Sequence, residues 1–376
     1  METSSSSDPR VAVIGGGLAG LVAALTCAVR GLHVSVFEES DRFGGSIHTQ
    51  REAGFTVEHG AEGFAAASPS VLALSAELGL TAALESQLVH RSCAFDGQGL
   101  YALDAGEAAA RLGLSQRSKG GDGIKTFRCG MQQLTEAIVE RSRGRVQLRL
   151  QTQARSISRS TSGWQLDWGE SCGQYDAVVL ATGARIAGEL LAPSFGADAS
   201  ELRNAVTLPS LSVSLAYRKE ALPHLPDAAG FVLDPGVTLD GCIAATFSSV
   251  KFRARAPNDF ALIRLFFRPT PDELLHTSEC IRDRAERVVA RVFPGCGSPL
   301  RTWEARWRDG IAVVDAEQRA RIAGLERLLD GNSIVLAGSA FHGSGVECAT
   351  RSGTTALCKL ALYGRIRQRA VAFRDA

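Results

Sequence analysis

The chain is short of the residues that mark several classes of function. Nine cysteines are scattered over 376 residues with no C-x-x-C pair. Their odd number and spacing argue against a disulfide framework and against zinc knuckles, so a reducing compartment is the expectation. The 41 basic and 40 acidic residues nearly cancel, leaving a formal charge of +1. That balance supplies no electrostatic footprint for nucleic acid or an acidic membrane surface. Lysine is scarce: Lys119, Lys125, Lys219, Lys251 and Lys359 are the full set, and the other cations are arginines. There is no nucleophile motif, no carboxylate pair with telling spacing and no metal-ligand cluster. One uncharged run stands out, Val11 to Val29, preceded by Arg10. Its outline is that of a signal peptide or a membrane span, but three consecutive glycines and a nucleotide motif run across it. Export is therefore not expected. A cytoplasmic location is, with membrane association weak or absent.

That same run is where the sequence is richest. Val11 to Ile14 is a short apolar β-branched segment ending at glycine, the pattern of a buried parallel strand. Gly15, Gly17 and Gly20 follow as G-x-G-x-x-G, then a helical run from Leu21 to Arg30, then a second strand, His33 to Phe37, ending at Glu38. In such a unit the first glycine permits the turn, the second lets the backbone approach a pyrophosphate, and the third allows close helix–strand packing. Leu18 and Ala19 lie inside the turn, at the helix start, where free N–H groups and the positive dipole end meet phosphate. Glu38, with Glu39 beside it, is placed to accept from ribose hydroxyls. Strand, turn, helix, strand and acid in that order predict a dinucleotide site.

Glu38-x-x-x-Arg42-x-Gly44-Gly45 then adds a cation and two glycines, suited to a second approach to the same pyrophosphate. This arrangement resembles the flavin amine oxidase superfamily, which implies FAD rather than NAD. Ser46 stands where that family usually carries Arg or Lys. Gly54-Phe55-Thr56-Val57-Glu58-His59-Gly60-Ala61-Glu62-Gly63-Phe64, followed by a helical pattern from Ser68 to Leu80, resembles the protoporphyrinogen oxidase-like, bacterial-type members. There the Gly60-Ala61 turn is implied to lie beside the flavin ring. Phe127 to Leu134 is similar to the family's G-G-M-x-x-L, with Cys129 for the first glycine. Asp176 to Gly183 is similar to D-x-V-V-x-A-T-P, with Gly183 for the proline, which implies cofactor contacts at Ala181 and Thr182. Ala154 is implied to contact the adenine. Ile334 to Val346 and Arg351-Ser352-Gly353 resemble the C-terminal flavin motif, a strand, a glycine-rich turn and a helix from Cys348 to Leu362. The implied contacts are Gly338, Ser339, Gly345 and Val346, with the helix start near Val346 facing the ring's N1–C2=O edge. Ser344 and Glu347 depart from the family's usual residues, and Glu347 is read as a cap for N–H groups.

The resemblance implies an α/β protein: a three-layer, Rossmann-like FAD-binding domain with a second α+β substrate-binding domain on a mixed sheet. The expected division is 8–75, 127–193 and 328–364 for the first and 76–126 and 194–327 for the second, with flexible tails at 1–9 and 365–376. Between Pro193 and Pro299, strands are expected at Ser212 to Tyr217, Gly230 to Leu233, Cys242 to Phe247 and Phe260 to Phe267, with a helix from Ser278 to Phe293. Phe231, Phe247 and Phe266 are candidates to line a cavity, though each taken singly reads as core. The large helical insertion of protoporphyrinogen oxidases, expected between Asp104 and Lys125, is missing.

FAD would take hydride from an sp³ C–H and, in oxidases, pass electrons to dioxygen. Three readings follow: an oxidase of the protoporphyrinogen type acting on a tetrapyrrole or other reduced heterocycle, an oxidase or dehydrogenase of an amine or natural product, and a flavin-binding partner without turnover. Amine oxidases place a lysine near the flavin, and Ser212 to Tyr217 has none. The candidate bases are His342, within the C-terminal motif, and His59. An arginine is expected to pair with substrate propionates, though the sequence assigns no particular one.

Overall fold

Alternation along five parallel strands builds the first half of the molecule. The computed structural model describes residues 8–113, 123–222 and 224–360. The expected tails lie outside these apart from Asp8 and Pro9. Strands Val146–Arg149, His33–Phe37, Arg10–Ile14, Ala177–Leu180 and Ile334–Leu336 lie side by side in that order, all parallel. Ala12, Ile14, Val178 and Leu180 point to one face, and Val11, Val13, Ala177 and Val179 to the other. Neither face meets water, as a parallel sheet requires. Each fully buried aliphatic side chain there contributes roughly 1.5–3 kcal/mol.

Helices Leu18–Ala28 and Val346–Lys359 cover the Val11 face and pack on each other. The small antiparallel sheet Ser156–Ser160, Gly163–Trp168, Ser171–Tyr175 covers the other face, joined by helix Ala184–Ser200. This gives the three layers expected. Trp164 is buried in that layer, its indole N–H donating to the Asn332 carbonyl at 2.8 Å.

The second half is a seven-stranded mixed sheet in the order Arg301–Ala312, Thr207–Arg218, Phe260–Phe267, Cys242–Phe247, Gly230–Leu233, Cys93–Phe95, Leu100–Ala102. One pairing, Gly230–Leu233 with Cys93–Phe95, is parallel. Helix Ser278–Val292 presses Ile281, Ala285, Val288 and Val289 onto one face of this sheet. Phe231 and Phe247 belong to that helix-covered core. They are therefore not cavity residues. Phe266 points the other way, with the Arg264 guanidinium 4.8 Å from its ring centre.

Three elements depart from the sequence reading. Helix Ala184–Ser200 carries Pro193 and a non-helical Gly196, which hide its period. Strand Arg301–Ala312 is an edge strand carrying three arginines, and edge strands tolerate charge. Helix Ala316–Leu329 buries Ile322, Leu325 and Leu329 against the nucleotide-side core. The Asp315 carboxylate accepts from the Gln318 N–H at 2.8 Å, and D-x-x-Q was the available signal for its start. Residues 114–122, within the stretch that lacks the family's insertion, lie outside the described residues.

Candidate functional site

Strand order reverses between Arg10–Ile14 and its neighbour Ala177–Leu180, and a cleft of 340 Å³ opens beyond the carboxyl ends of these strands. A switch point of this kind is where open α/β sheets take their ligands. Gly15 turns the chain at φ +102°, and a Cβ there would lie 2.5 Å from the Ala181 carbonyl oxygen. A Cβ on Gly20 would lie 1.9 Å from the Gly15 oxygen, so helix and turn touch backbone to backbone. Gly17 differs. The nearest atom to its would-be Cβ is the Gly45 Cα, 3.8 Å away, and the space belongs to the cleft.

The second glycine pair is tied to the first. The Gly44 N–H donates to the Gly16 carbonyl at 2.8 Å, and Gly17 and Gly44 form a parallel bridge. Arg42 holds this second turn, donating to the carbonyls of Gly45 at 2.7 Å and Ile47 at 3.1 Å. Glu38 ends its strand with one carboxylate oxygen accepting from the Gly16 N–H (2.7 Å). The other accepts from the Ser40 N–H (2.9 Å) and hydroxyl (2.6 Å). A carboxylate has about four acceptor positions, so one is left for a ligand.

Of the residues expected at the cofactor, Gly15, Gly17, Leu18, Ala19, Glu38, Glu39, Gly45, Ser46, Ala154, Ala181, Thr182, Gly338 and Ser339 line this one cleft. Gly20, Arg42 and Gly44 stand behind its wall. Gly60 abuts the wall as well: a Cβ on it would lie 1.5 Å from the Ser46 oxygen. Ala61 and Val346 pack in one cluster with Leu18, and Gly345 caps the last helix with φ +99°. Glu347 caps N–H groups, but those of another helix. It accepts from the Ser70 N–H and hydroxyl and from the Val71 N–H, at the start of helix Pro69–Glu77. His342 does not line the cleft; its Nε2 is 3.0 Å from the Leu336 carbonyl and 3.7 Å from Glu326.

Next to the Gly60 turn lies a group of buried charges that the sequence reading did not assemble. Glu62 is 2.9 Å from the Lys251 ammonium and accepts from the Ser248 hydroxyl at 2.6 Å. Burial alone would raise the Glu62 carboxyl, but Lys251 and Ser248 outweigh it and hold it at about 2. Glu58 pairs with Arg255 at 3.3 Å and accepts from the Met131 N–H and the Thr49 hydroxyl. Burial pushes its carboxyl up from the ordinary range even so. Arg264 donates to the Gly60 carbonyl at 2.8 Å and to the Ser212 hydroxyl at 3.0 Å. His59 stacks on His48 with ring centres 4.6 Å apart, and burial, His48 and Arg264 bring it down to about 4. The available signal for Arg264 was a lone charge inside Phe260-Ala-Leu-Ile-Arg-Leu-Phe-Phe267.

A dinucleotide fits this arrangement. The cleft passes a bare glycine at Gly17, two glycine turns bound to each other, a helix start and an acceptor on Glu38. The match to known proteins agrees. Residues 86–360 fit the description of flavin-containing amine oxidoreductases, and residues 13–78 that of an NAD(P)-binding Rossmann-like domain. A coproporphyrinogen III oxidase of Propionibacterium freudenreichii subsp. freudenreichii is 26% identical, over 91% of this chain and 88% of the relative. Among solved structures, a protein of Exiguobacterium sp. 255-15 whose suggested assignment is protoporphyrinogen oxidase superposes with a TM-score of 0.81. It is 19% identical and covers 93% of this chain and 98% of its own. Cyclohexylamine oxidase of Brevibacterium oxydans IH-35A gives 0.72 at 14% identity, over 97% and 100%. With a family match reaching over well more than half of its length, the chain belongs to the flavin-containing amine oxidoreductases, as an oxidoreductase whose cofactor is FAD.

Proposed function

We propose that the protein is an FAD-dependent oxidase of a porphyrinogen, a small-molecule substrate whose bridging sp³ carbons carry the hydrogens removed. The observation that carries this reading is the likeness to a coproporphyrinogen III oxidase along nearly the whole chain. Bound FAD would accept hydride at such a carbon, with dioxygen as the terminal acceptor. The chain's own residues hold the cofactor's phosphates at the Leu18–Ala28 helix start and its ribose at Glu38. The N-terminal N–H groups of helix Val346–Lys359 would favour negative charge on a bound flavin. The substrate's place is on the face of the second sheet that carries Arg264, Ser214 and Thr246, neighbours in register. Lys251 is engaged with Glu62, which leaves the amine reading without a free lysine there.

A cytoplasmic setting is part of the same reading. No helix among the described residues is long and apolar enough to cross a membrane. The test is to offer coproporphyrinogen III and protoporphyrinogen IX, in separate anaerobic reactions, to the yellow protein. Bleaching of the flavin by one of them, then porphyrin fluorescence and peroxide on admitting air, is the expected result. A flavin left oxidised by both would overturn the proposal.

A further inference from the structure

The buried charges beside the Gly60 turn do not cancel. Glu62 is matched by Lys251 and Glu58 by Arg255. Arg264 is left over: Glu62 and Glu58 act on it through space, but each already faces a nearer cation, so the group keeps one positive charge in excess. Its residue is 4% exposed, and its two bonded partners, the Gly60 carbonyl and the Ser212 hydroxyl, are both neutral. Its Nε has no partner among the described residues. The aromatic face of Phe266, 4.8 Å away, supplies only weak compensation. An unbalanced buried cation costs several kcal/mol, roughly, unless something negative shares its surroundings. Its position says what that is. Arg264 grips Gly60, Gly60 rests on Ser46, and Ser46 lines the cofactor cleft.

We propose that Arg264 is the fixed positive charge set against the negative charge that the bound flavin ring acquires with the substrate's hydride. The inference rests on the assignment of FAD to this cleft but not on the identity of the substrate. Hydride brings one proton and two electrons to a neutral ring, so one net negative charge arrives with it. A cation held rigidly nearby, out of water, favours the charged state without any rearrangement. Ser212, two residues along the neighbouring strand from Arg264's register partner Ser214, is a neutral hydroxyl that accepts from Arg264 and so orients it. Arg264 is therefore an electrostatic and positioning residue, holding the Gly60 turn with one nitrogen while its charge acts through space.

The test uses the FAD-loaded protein and two readouts that need no substrate: the flavin midpoint potential, and the dissociation constant of sulfite, which adds to the oxidised ring and leaves it negative. Arg264→Met is expected to weaken sulfite binding at least tenfold and to lower the midpoint by about 30 mV for each tenfold change in the two-electron equilibrium. Arg264→Lys is expected to stay within a few-fold of the parent. Glu62→Gln, which leaves Lys251 as a second excess cation, is expected to move both readouts the opposite way. That variant also decides the matter if Arg264→Met fails to fold. The proposal is overturned if Arg264→Met holds FAD with both readouts unchanged, the outcome expected of a cation that pairs instead with a substrate carboxylate and alters only KM. It is also overturned if Glu62→Gln leaves the readouts unmoved or shifts them in the direction of Arg264→Met. A parent protein that binds no FAD would remove the cofactor assignment itself.

Discussion

The cofactor cleft and the charged face of the second sheet lie side by side but are built on opposite principles. The cleft is made of backbone and missing side chains: two turns at positive φ, Gly15 and Gly45, a bare approach at Gly17, and a helix start. Apart from carboxylates at its edge such as Glu38, it offers main-chain N–H donors, which carry no net charge to bury. The neighbouring face buries whole charges, Glu58, Glu62, Lys251, Arg255 and Arg264, and relies on pairing to hold them. A ligand meets geometry on one side and an electric field on the other. Changes in the cleft should therefore act on binding and spare the fold, while changes in the charged face should act on stability.

Gly17→Val against Gly20→Val breaks this comparison most directly. A Cβ at Gly17 meets no atom closer than the Gly45 Cα at 3.8 Å and opens onto the cleft, so the chain should fold as before, with its melting temperature little changed, and bind no FAD. A side chain at Gly20 would start 1.9 Å from the Gly15 oxygen and should cost folding itself, by about 1–3 kcal/mol or more. Flavin occupancy and thermal unfolding of the two apo-proteins separate them. A Gly17→Val protein that comes off the column fully yellow would show that the pyrophosphate does not pass there.

Lys251→Met sharpens the other side. It strands Glu62 in a site where Lys251 is its nearest cation, and removing one partner of a buried pair costs about 3–5 kcal/mol. Urea unfolding of the apo-protein should show that loss. An unchanged midpoint would mean that water reaches Glu62 and that the face is less dry than its burial implies.

The same difference decides what could be read from the sequence. The cleft was legible because its requirements are local: Gly15, Gly17, Gly20 and Glu38 fall within one strand–helix–strand unit, and each glycine answers a steric need. The charged face was not, because it joins residues far apart in the chain. Glu62 meets Lys251 and Gly60 meets Arg264 across separations of 189 and 204 residues. Four of the seven strands of the second sheet were foreseen from apolar runs, yet nothing in those runs told which face would meet helix Ser278–Val292 and which the cofactor half. Whether Phe231 and Phe247 lined a cavity or the core stayed open for that reason, and the structure places both in the core. Helix Ala316–Leu329 escaped because arginine and glutamate cover most of its surface, leaving a narrow apolar stripe.

The smallest expected effect lies at the seam between the two regions, at His59. Its ring is buried against His48, within the field of Arg264, and sits at about 4 against an ordinary 6.5. A histidine depressed in the folded state binds its proton more readily when unfolded. Between those two values the unfolded chain therefore holds more protons, and stability rises with pH. Read downward, stability is lost from about pH 6.5 to pH 4 and levels off below. Glu62 then acts lower: held at about 2 against 4.5, its contribution is present above 4.5 and disappears as pH falls toward 2. Two acid-sensitive windows should follow in the apo-protein, and His59→Gln should flatten the upper one without touching the lower. His48, also lowered by burial, leaves a residual slope in that upper window. A His59→Gln protein whose melting temperature falls as steeply as the parent's between pH 6.5 and 4 would mean that the charged face does not reach as far as the seam.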